Sequence, residues 1–451
     1  MKTNRVVHNP ALTHEGAPAQ RFTAKQELKR TAATCLLFEP TFYESGGDIA
    51  DRLVSLSKKV SFQDLAEVAV WCRSTLNLRH VSLFLACLAM KKDAPGPQKR
   101  ALVRDVIQRA DELGEIVSLY WILNGRKTGS NDRPPLPNAM KKGIADAFGK
   151  FDEYQLSKWD SRNNAVRLRD VMFLTHPKPV GEGREDLYKR IAENNMATAD
   201  TWETNLSAGK DKNETFSDLL RENKLGAMAL LRNLRNMVQS GVDRKLVRDA
   251  LAKANWKRVL PFRFLSALKH APEYEDALDK AFLEACKGVP KLDGDAMFLI
   301  DVSGSMSWGS ISTKSEVKPA EIAFCMAAIG KEMFDDAVVY GFDSILRGPY
   351  PGRGLALTRQ NCPGGATYPG RCLEDAHQKQ NGHVFDWVFI ITDEQSADRI
   401  RDKQYGRNQI VINVQPYQHG LKLDNGWMRL SGWSDRIFDF LKVDQEIQNE
   451  G

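Results

Sequence analysis

The chain has 451 residues, 42% hydrophobic and 27% charged, with a formal net charge of +6. That length exceeds what one hydrophobic core ordinarily organises, and the mixture is that of a folded globular protein, which excludes disordered, collagenous and disulfide-scaffold classes. No apolar run approaches the roughly 20 residues of a membrane-spanning helix, and residues 1–20 lack the apolar stretch of a secretory leader, so a cytoplasmic protein without membrane attachment is expected.

The charge is uneven. Residues 1–290 hold 47 Lys+Arg against 36 Asp+Glu, a net +11, and residues 291–451 hold 17 against 22, a net −5. A polyanion partner for the first part and a cation for the second would explain this, and so would two solvated faces. The seven cysteines are scattered without a CxxC pair or metal spacing and are assigned no role.

Residues 1–20 are polar, contain Pro and Gly and show no periodicity, which predicts a flexible tail. From 21 to 290 the chain alternates helical stripes with short polar breaks and gives almost no strand signal. Ala227, Leu230, Leu231, Leu234, Met237 and Val238 form one apolar stripe that ends at Gly241, while Arg232, Asn233, Arg235 and Asn236 fall on the other face. Further stripes run over 65–72, 81–90, 101–123, 245–254 and 274–286. Many helices on short connections predict stacked helix pairs, a solenoid or ring, although no strict sequence period is present.

Residues 287–294, Lys-Gly-Val-Pro-Lys-Leu-Asp-Gly, read as a linker. Strand-length apolar runs (296–302, 337–342, 387–392, 409–414) then alternate with helical ones (318–334, 371–380), and an amphipathic stretch over 435–443 follows. Fully apolar strands alternating with helices predict a mostly parallel, Rossmann-like α/β domain over 291–451, covered on both faces.

Asp301-Val-Ser303-Gly-Ser305 leaves the tip of the first strand, Asp393 ends another, and the glycine-rich loop Cys362-Pro-Gly-Gly-Ala-Thr367 lies between them. Carboxylates and hydroxyls at strand tips suit a hard cation such as Mg²⁺, which prefers oxygen ligands and retains waters; the alternative is that Asp301 and Ser303 merely cap the following turn. In order and spacing, Asp301, Ser303, Ser305, Thr367 and Asp393 resemble the metal-ion-dependent adhesion site of von Willebrand factor A domains. GxxxxGK[ST], HExxH and GxSxG are all absent, and Ser303 stands where a haloacid-dehalogenase-type phosphotransferase would carry a second Asp, so no enzyme is expected.

Residues 158–179 are dense in cations, and on local physics alone they read as a solvated helix–turn, with His176 in a local hydrogen bond, at least as well as a phosphate-binding face. Arg167-Leu-Arg-Asp-Val-Met-Phe-Leu-Thr-His-Pro-Lys-Pro179 resembles the D-[LV]-x-x-L-x-H-x-K-P signature of the TROVE module, which is shared by the Ro 60 kDa autoantigen family, telomerase-associated proteins and vault proteins. Met228-Ala-Leu-Leu-Arg-Asn-Leu-Arg-Asn236 and Leu260-Pro-Phe-Arg-Phe-Leu-Ser-Ala-Leu268 are similar to two further stretches of that module, and the order of module and A domain is that of Ro proteins, bacterial or phage-borne forms included.

The resemblance implies a ring of HEAT-like helical repeats followed by the A domain, binding without catalysis to small structured Y RNA-like RNAs on its outer surface and to single-stranded 3′ ends of misfolded RNA in a central hole. It further implies a role in RNA quality control, with an exoribonuclease as possible company and the protein itself a monomer. On the outer surface the matching positions are Lys158, Arg162 and His176; Arg167 and Arg169 join them on local charge alone. Arg232 and Arg235 are candidates for the hole, or for hydrogen bonds that stitch neighbouring repeats. The chain is short for a Ro protein and its residues 20–30 match the family start only loosely, which bears on the Y RNA surface. A metal-dependent protein-interaction scaffold is the alternative function.

Overall fold

A computed structural model describes residues 23–33, 46–126, 133–160, 165–197, 209, 211–257, 259–308, 316–414, 421, 426–431 and 436–449. They fall into two compact units, one holding the helices up to residue 192 and the other running over Gly209–Glu446.

The first unit is all helical: α1 (Ala24–Ala33), α2 (Gly46–Lys59), α3 (Phe62–Ser74), α4 (Arg79–Ala89), α5 (Gly96–Val106), α6 (Glu112–Leu123), α7 (Asn138–Phe148), α8 (Glu153–Trp159), α9 (Leu168–Thr175) and α10 (Arg184–Ala192). Odd-numbered helices pack on one another from α1 to α9, and α2, α4 and α6 form the second layer. This is the stacking of a repeat solenoid. Each helix contributes an apolar stripe to one core, as with Leu65, Val68, Ala69 and Cys72 of α3 against Leu85, Ala86 and Leu88 of α4.

The single helical stripe expected over 101–123 is two helices, because Glu112 interrupts it. The buried Glu112 carboxylate accepts the backbone N–H of Gln108 (2.7 Å) and Arg109 (3.0 Å) and pairs with the buried Arg73 guanidinium at 2.7 Å. Backbone donors that would have continued α5 are thereby satisfied by a side chain.

The second unit begins with α11 (Lys212–Arg221), α12 (Ala227–Gln239), α13 (Arg244–Lys253), α14 (Arg263–His270) and α15 (Glu275–Cys286), again stacked on alternate neighbours. Helix α12 buries Leu230, Leu231, Leu234 and Met237 and ends before Gly241 in the left-handed region. Asn233, expected on its polar face, is instead buried and donates to the Ala229 carbonyl at 2.9 Å.

Next come β1 (Asp295–Asp301), α16 (Gly304–Ser307), α17 (Pro319–Met333), β2 (Asp336–Phe342), β3 (Leu346–Arg347), a 3-10 turn (Gly354–Arg359), α18 (Pro369–Lys379), β4 (Phe385–Thr392), β5 (Gly406–Asn413), β6 (Trp427–Ser431) and α19 (Arg436–Asn449). The six strands are ordered β3-β2-β1-β4-β5-β6, all parallel except the short β2–β3 pair.

On one face Phe298 and Phe389 stack at 4.7 Å, and Phe298 lies so close to Gly330 of α17 that a Cβ there would fall 2.1 Å from the ring. The other face packs Met297, Leu299, Val388 and Ile390 against Cys372, Leu373 and Ala376 of α18.

Secondary structure changes from helix to strand between Cys286 and Asp295, yet compactness groups α11–α15 with the sheet rather than with α1–α10. Specific bonds explain this. Asp279 of α15 accepts the Leu355 N–H at 2.7 Å, Glu275 pairs with Arg359 at 2.9 Å, and Lys269 pairs with Glu321 at 2.7 Å. A division at 290/291 therefore marks the change of element type, not the edge of a packing unit.

Candidate metal centre and nucleic-acid interface

Strand order reverses at β1 and β4, the position where open parallel sheets bind ligands beyond their carboxyl ends. Asp301 ends β1 and Asp393 follows β4, both fully buried, with Ser303 and Thr367 almost so. The register that sets Ile300 beside Ile391 brings the next residue, Thr392, to Asp301, and the Thr392 hydroxyl donates to Asp301 Oδ2 at 2.6 Å. Asp301 Oδ1 accepts the Ser303 N–H at 2.9 Å, and the Ser303 and Ser305 hydroxyls lie 3.2 Å apart.

The glycine-rich loop closes the same corner. The Gly365 carbonyl accepts the Gly304 N–H at 3.4 Å, and the Thr367 backbone carbonyl accepts the Ala397 N–H at 2.8 Å, so the loop bridges the turns after β1 and β4. Gly365 has φ +129°, and a Cβ there would meet Ser344 Oγ at 2.9 Å, so both the backbone and the space require glycine. From the tip of β2, the Asp343 carbonyl accepts the Tyr368 N–H at 3.1 Å and Ser344 Oγ accepts the Ala366 N–H at 3.1 Å. The Asp343 carboxylate is itself held by Arg347 at 2.7 Å.

Bonds thus join Asp301 with Ser303 and Thr392, and Ser303 with Ser305, at one strand-tip corner. Burial, with Asp393 nearby, pushes the Asp301 carboxyl up to about 7, and Asp393 Oδ2 is buried without a hydrogen-bond partner. A divalent cation would satisfy both, since it offsets carboxylate repulsion and takes the orphaned oxygen. Among the described residues no cluster of three His, Cys, Asp or Glu occurs, so the donor set is hydroxyl-rich and hard, with two carboxylates. Sequence reasoning missed Thr392, Asp343 and Ser344, whose signal is only their place at strand tips beside the ligands.

The predicted RNA residues are more dispersed. Lys158, near the end of α8, lies 5.7 Å from the rings of both Tyr154 and Trp159, and Arg109 stacks on Trp159 at 4.3 Å. Arg162 lies outside the described residues. Arg167 is committed to the α8–α9 turn: its guanidinium bonds Asp160 at 2.8 Å and its own N–H is capped by Asp170 at 3.1 Å. Arg169 is exposed and lies 5.5 Å from the ring of Phe173.

His176 caps α9 in a left-handed conformation (φ 48°, ψ 59°), its N–H bonded to Met172 at 2.8 Å. Its side chain is exposed and makes no hydrogen bond among the described residues. A non-glycine residue at such a cap carries strain that the fold keeps for a reason.

His176 opens onto a cleft of about 850 Å³ lined also by Arg100, Lys142, Asp146, Lys150 and Lys178. Arg100 is neutralised by a two-pronged bond to Asp146, at 2.5 and 2.7 Å. Lys150 donates to the Ile107 carbonyl at 2.9 Å and to the Arg104 carbonyl, and burial lowers its pKa. Lys142 and Lys178 are exposed and make no ion pair among the described residues. The sequence placed Lys178 in a signature; Arg100 and Lys142 gave no signal, lying 76 and 34 positions before His176.

Arg232 and Arg235 belong to the second unit, on the exposed face of α12, and neither makes an ion pair or side-chain hydrogen bond among the described residues. The stitching role falls to other groups, such as Asn213 of α11 donating to the Ser240 carbonyl at 2.9 Å.

Residues 189–288 match the model of the TROVE domain. That stretch of the chain is therefore similar to a TROVE domain. Those matched residues include Arg232 and Arg235, while Lys158, Arg169 and His176 precede them. The chain is also similar to telomerase protein component 1 of Rattus norvegicus, 20% identical over 299 residues, and of Mus musculus, 19% identical over 319 residues. These alignments take in 48% and 52% of the chain but only 11% and 12% of the telomerase components.

Among solved structures, the Deinococcus radiodurans RO (RSR) protein shares the fold, with a TM-score of 0.65 and 17% identity over 95% of this chain and 100% of that one. The fold shared with that protein is one of stacked helices followed by a mostly parallel α/β sheet domain.

Proposed function

We propose that the chain is a non-catalytic RNA-binding protein that holds small structured non-coding RNA of the Y RNA kind and the single-stranded 3′ ends of misfolded RNA, in cytoplasmic RNA quality control. The observation that carries this reading is the cleft that the exposed His176 lines together with Lys142 and Lys178, two exposed lysines without an ion pair among the described residues. Phosphodiesters suit such a surface because each neutralised phosphate releases counterions. An exoribonuclease handed the bound ends is the proposed protein partner.

The metal corner has its own place in this reading. We assign Asp301, Ser303, Ser305, Thr367 and Asp393 to a divalent cation, Mg²⁺ by donor hardness, leaving a coordination position for a carboxylate from another protein. The orphaned, buried Asp393 Oδ2 supports the second reading, a metal-dependent interaction scaffold.

The test is the affinity of the full chain for a small structured RNA after Lys158, Arg162 and His176 are changed together to alanine. Weakened binding by a variant that melts like the parent is expected; unchanged affinity removes the outer-surface site. A chain that binds no RNA but takes up a partner protein only with Mg²⁺ would favour the scaffold.

A further inference from the structure

Helix α9 presents Arg169 and Phe173 on one exposed stripe, at i and i+4, and the exposed His176 follows as its C-cap. Phe173 is 54% exposed, and Arg169 lies 5.5 Å from its ring. A lone exposed apolar side chain is ordinary on a protein surface. This one differs in its neighbours: a cation a turn before it and, after His176, the basic cleft that Lys142 and Lys178 line. An aromatic face near cations that make no ion pair among the described residues is the kind of arrangement by which proteins hold unstacked bases, since every base offers a π-face while the cations track the backbone.

We propose that Phe173 is a stacking platform for an unpaired nucleotide of the bound RNA, with Arg169 on one side of it and the flanking phosphate seated in the cleft between Lys142 and Lys178. This rests on the RNA-binding reading and adds to it a ligand class: RNA with a bulged or looped base, in preference to a continuous duplex. Since most of Phe173 is in solvent, removing it leaves the core of α9, built on Leu168 and Val171, unchanged.

The experiment uses the full chain and two fluorescent hairpins of equal length, one with an internal bulge and one fully paired, titrated at several salt concentrations. Phe173→Ala should weaken binding of the bulged hairpin by roughly 5- to 150-fold, leave the paired hairpin and the salt slope unchanged, and be rescued by Phe173→Trp. Lys142→Ala with Lys178→Ala should instead make the salt slope shallower by about two contacts for the bulged hairpin. If the parent protein binds both hairpins and Phe173→Ala changes neither, the platform is wrong and the RNA reading stands. If the parent binds neither, both fall; if both hairpins weaken equally, Phe173 serves the fold or a duplex contact and base stacking is overturned.

Discussion

At the tips of β1 and β4 the carboxylates and hydroxyls are buried and cross-linked between strands, whereas on α8 and α9 the cations stand in solvent beside aromatic rings. Sheet register leaves a strand-tip residue little freedom, so Asp301 and Thr392, 91 positions apart, meet once the strands pair. A helix surface fixes only the direction in which a side chain leaves, and its partners come from whichever helix stacks beside it. The metal corner is therefore specified by chain order, and the basic face by packing.

The largest effect expected from breaking this contrast lies in neither site. Glu112→Ala should lower stability by about 3–5 kcal/mol, because it strands the buried Arg73 and frees the N–H groups of Gln108 and Arg109. Denaturant unfolding checks it, and a loss under 1 kcal/mol would place the pair among surface bridges. Next in size, Gly330→Ala should cost about 1–3 kcal/mol by forcing α17 away from the Phe298 ring. That change would leave RNA affinity as it was, since it touches only the α/β layer.

Asp301→Asn sharpens the metal side. A carboxyl whose pKa is raised on folding favours its protonated form in the native state, so metal-free protein should lose stability as pH climbs from about 4, where the unfolded chain ionises, to about 7. The asparagine variant should lack that fall and should not gain stability from Mg²⁺, whereas the parent should gain it above pH 7. Thermal melts across pH, with and without Mg²⁺, measure both. A parent insensitive to Mg²⁺ would leave Asp301 and Ser303 as turn caps.

The smallest effect is the most telling for the helical side. His176→Gly removes a side chain from a left-handed cap, so stability should hold or rise by up to about 1 kcal/mol, while affinity for structured RNA falls. A drop in both would make His176 structural.

Much of the sheet was legible because its strands are apolar runs, and the strand-tip places of Asp301 and Asp393 because they directly follow those runs. Strands β3 and β6 were not, the first being two residues long and the second mixing Arg429 among apolar neighbours. The break at residues 107–111 escaped notice because a buried Glu112 paired with Arg73, 39 positions away, outweighs a local helical stripe. Arg167 reads as a free cation in the sequence, whereas its guanidinium is bonded to Asp160. Local pattern reports which face a residue takes far better than which distant side chain meets it there.

The most direct measurement is the salt dependence of the full chain's affinity for a small structured RNA between about 50 and 200 mM salt. A basic face that includes Lys142, Lys158 and Lys178 requires the logarithm of affinity to fall linearly with the logarithm of salt, with a slope of about −3 or steeper. Affinity that is flat across that range, or no binding at its low end, would contradict an RNA-holding role for these helices.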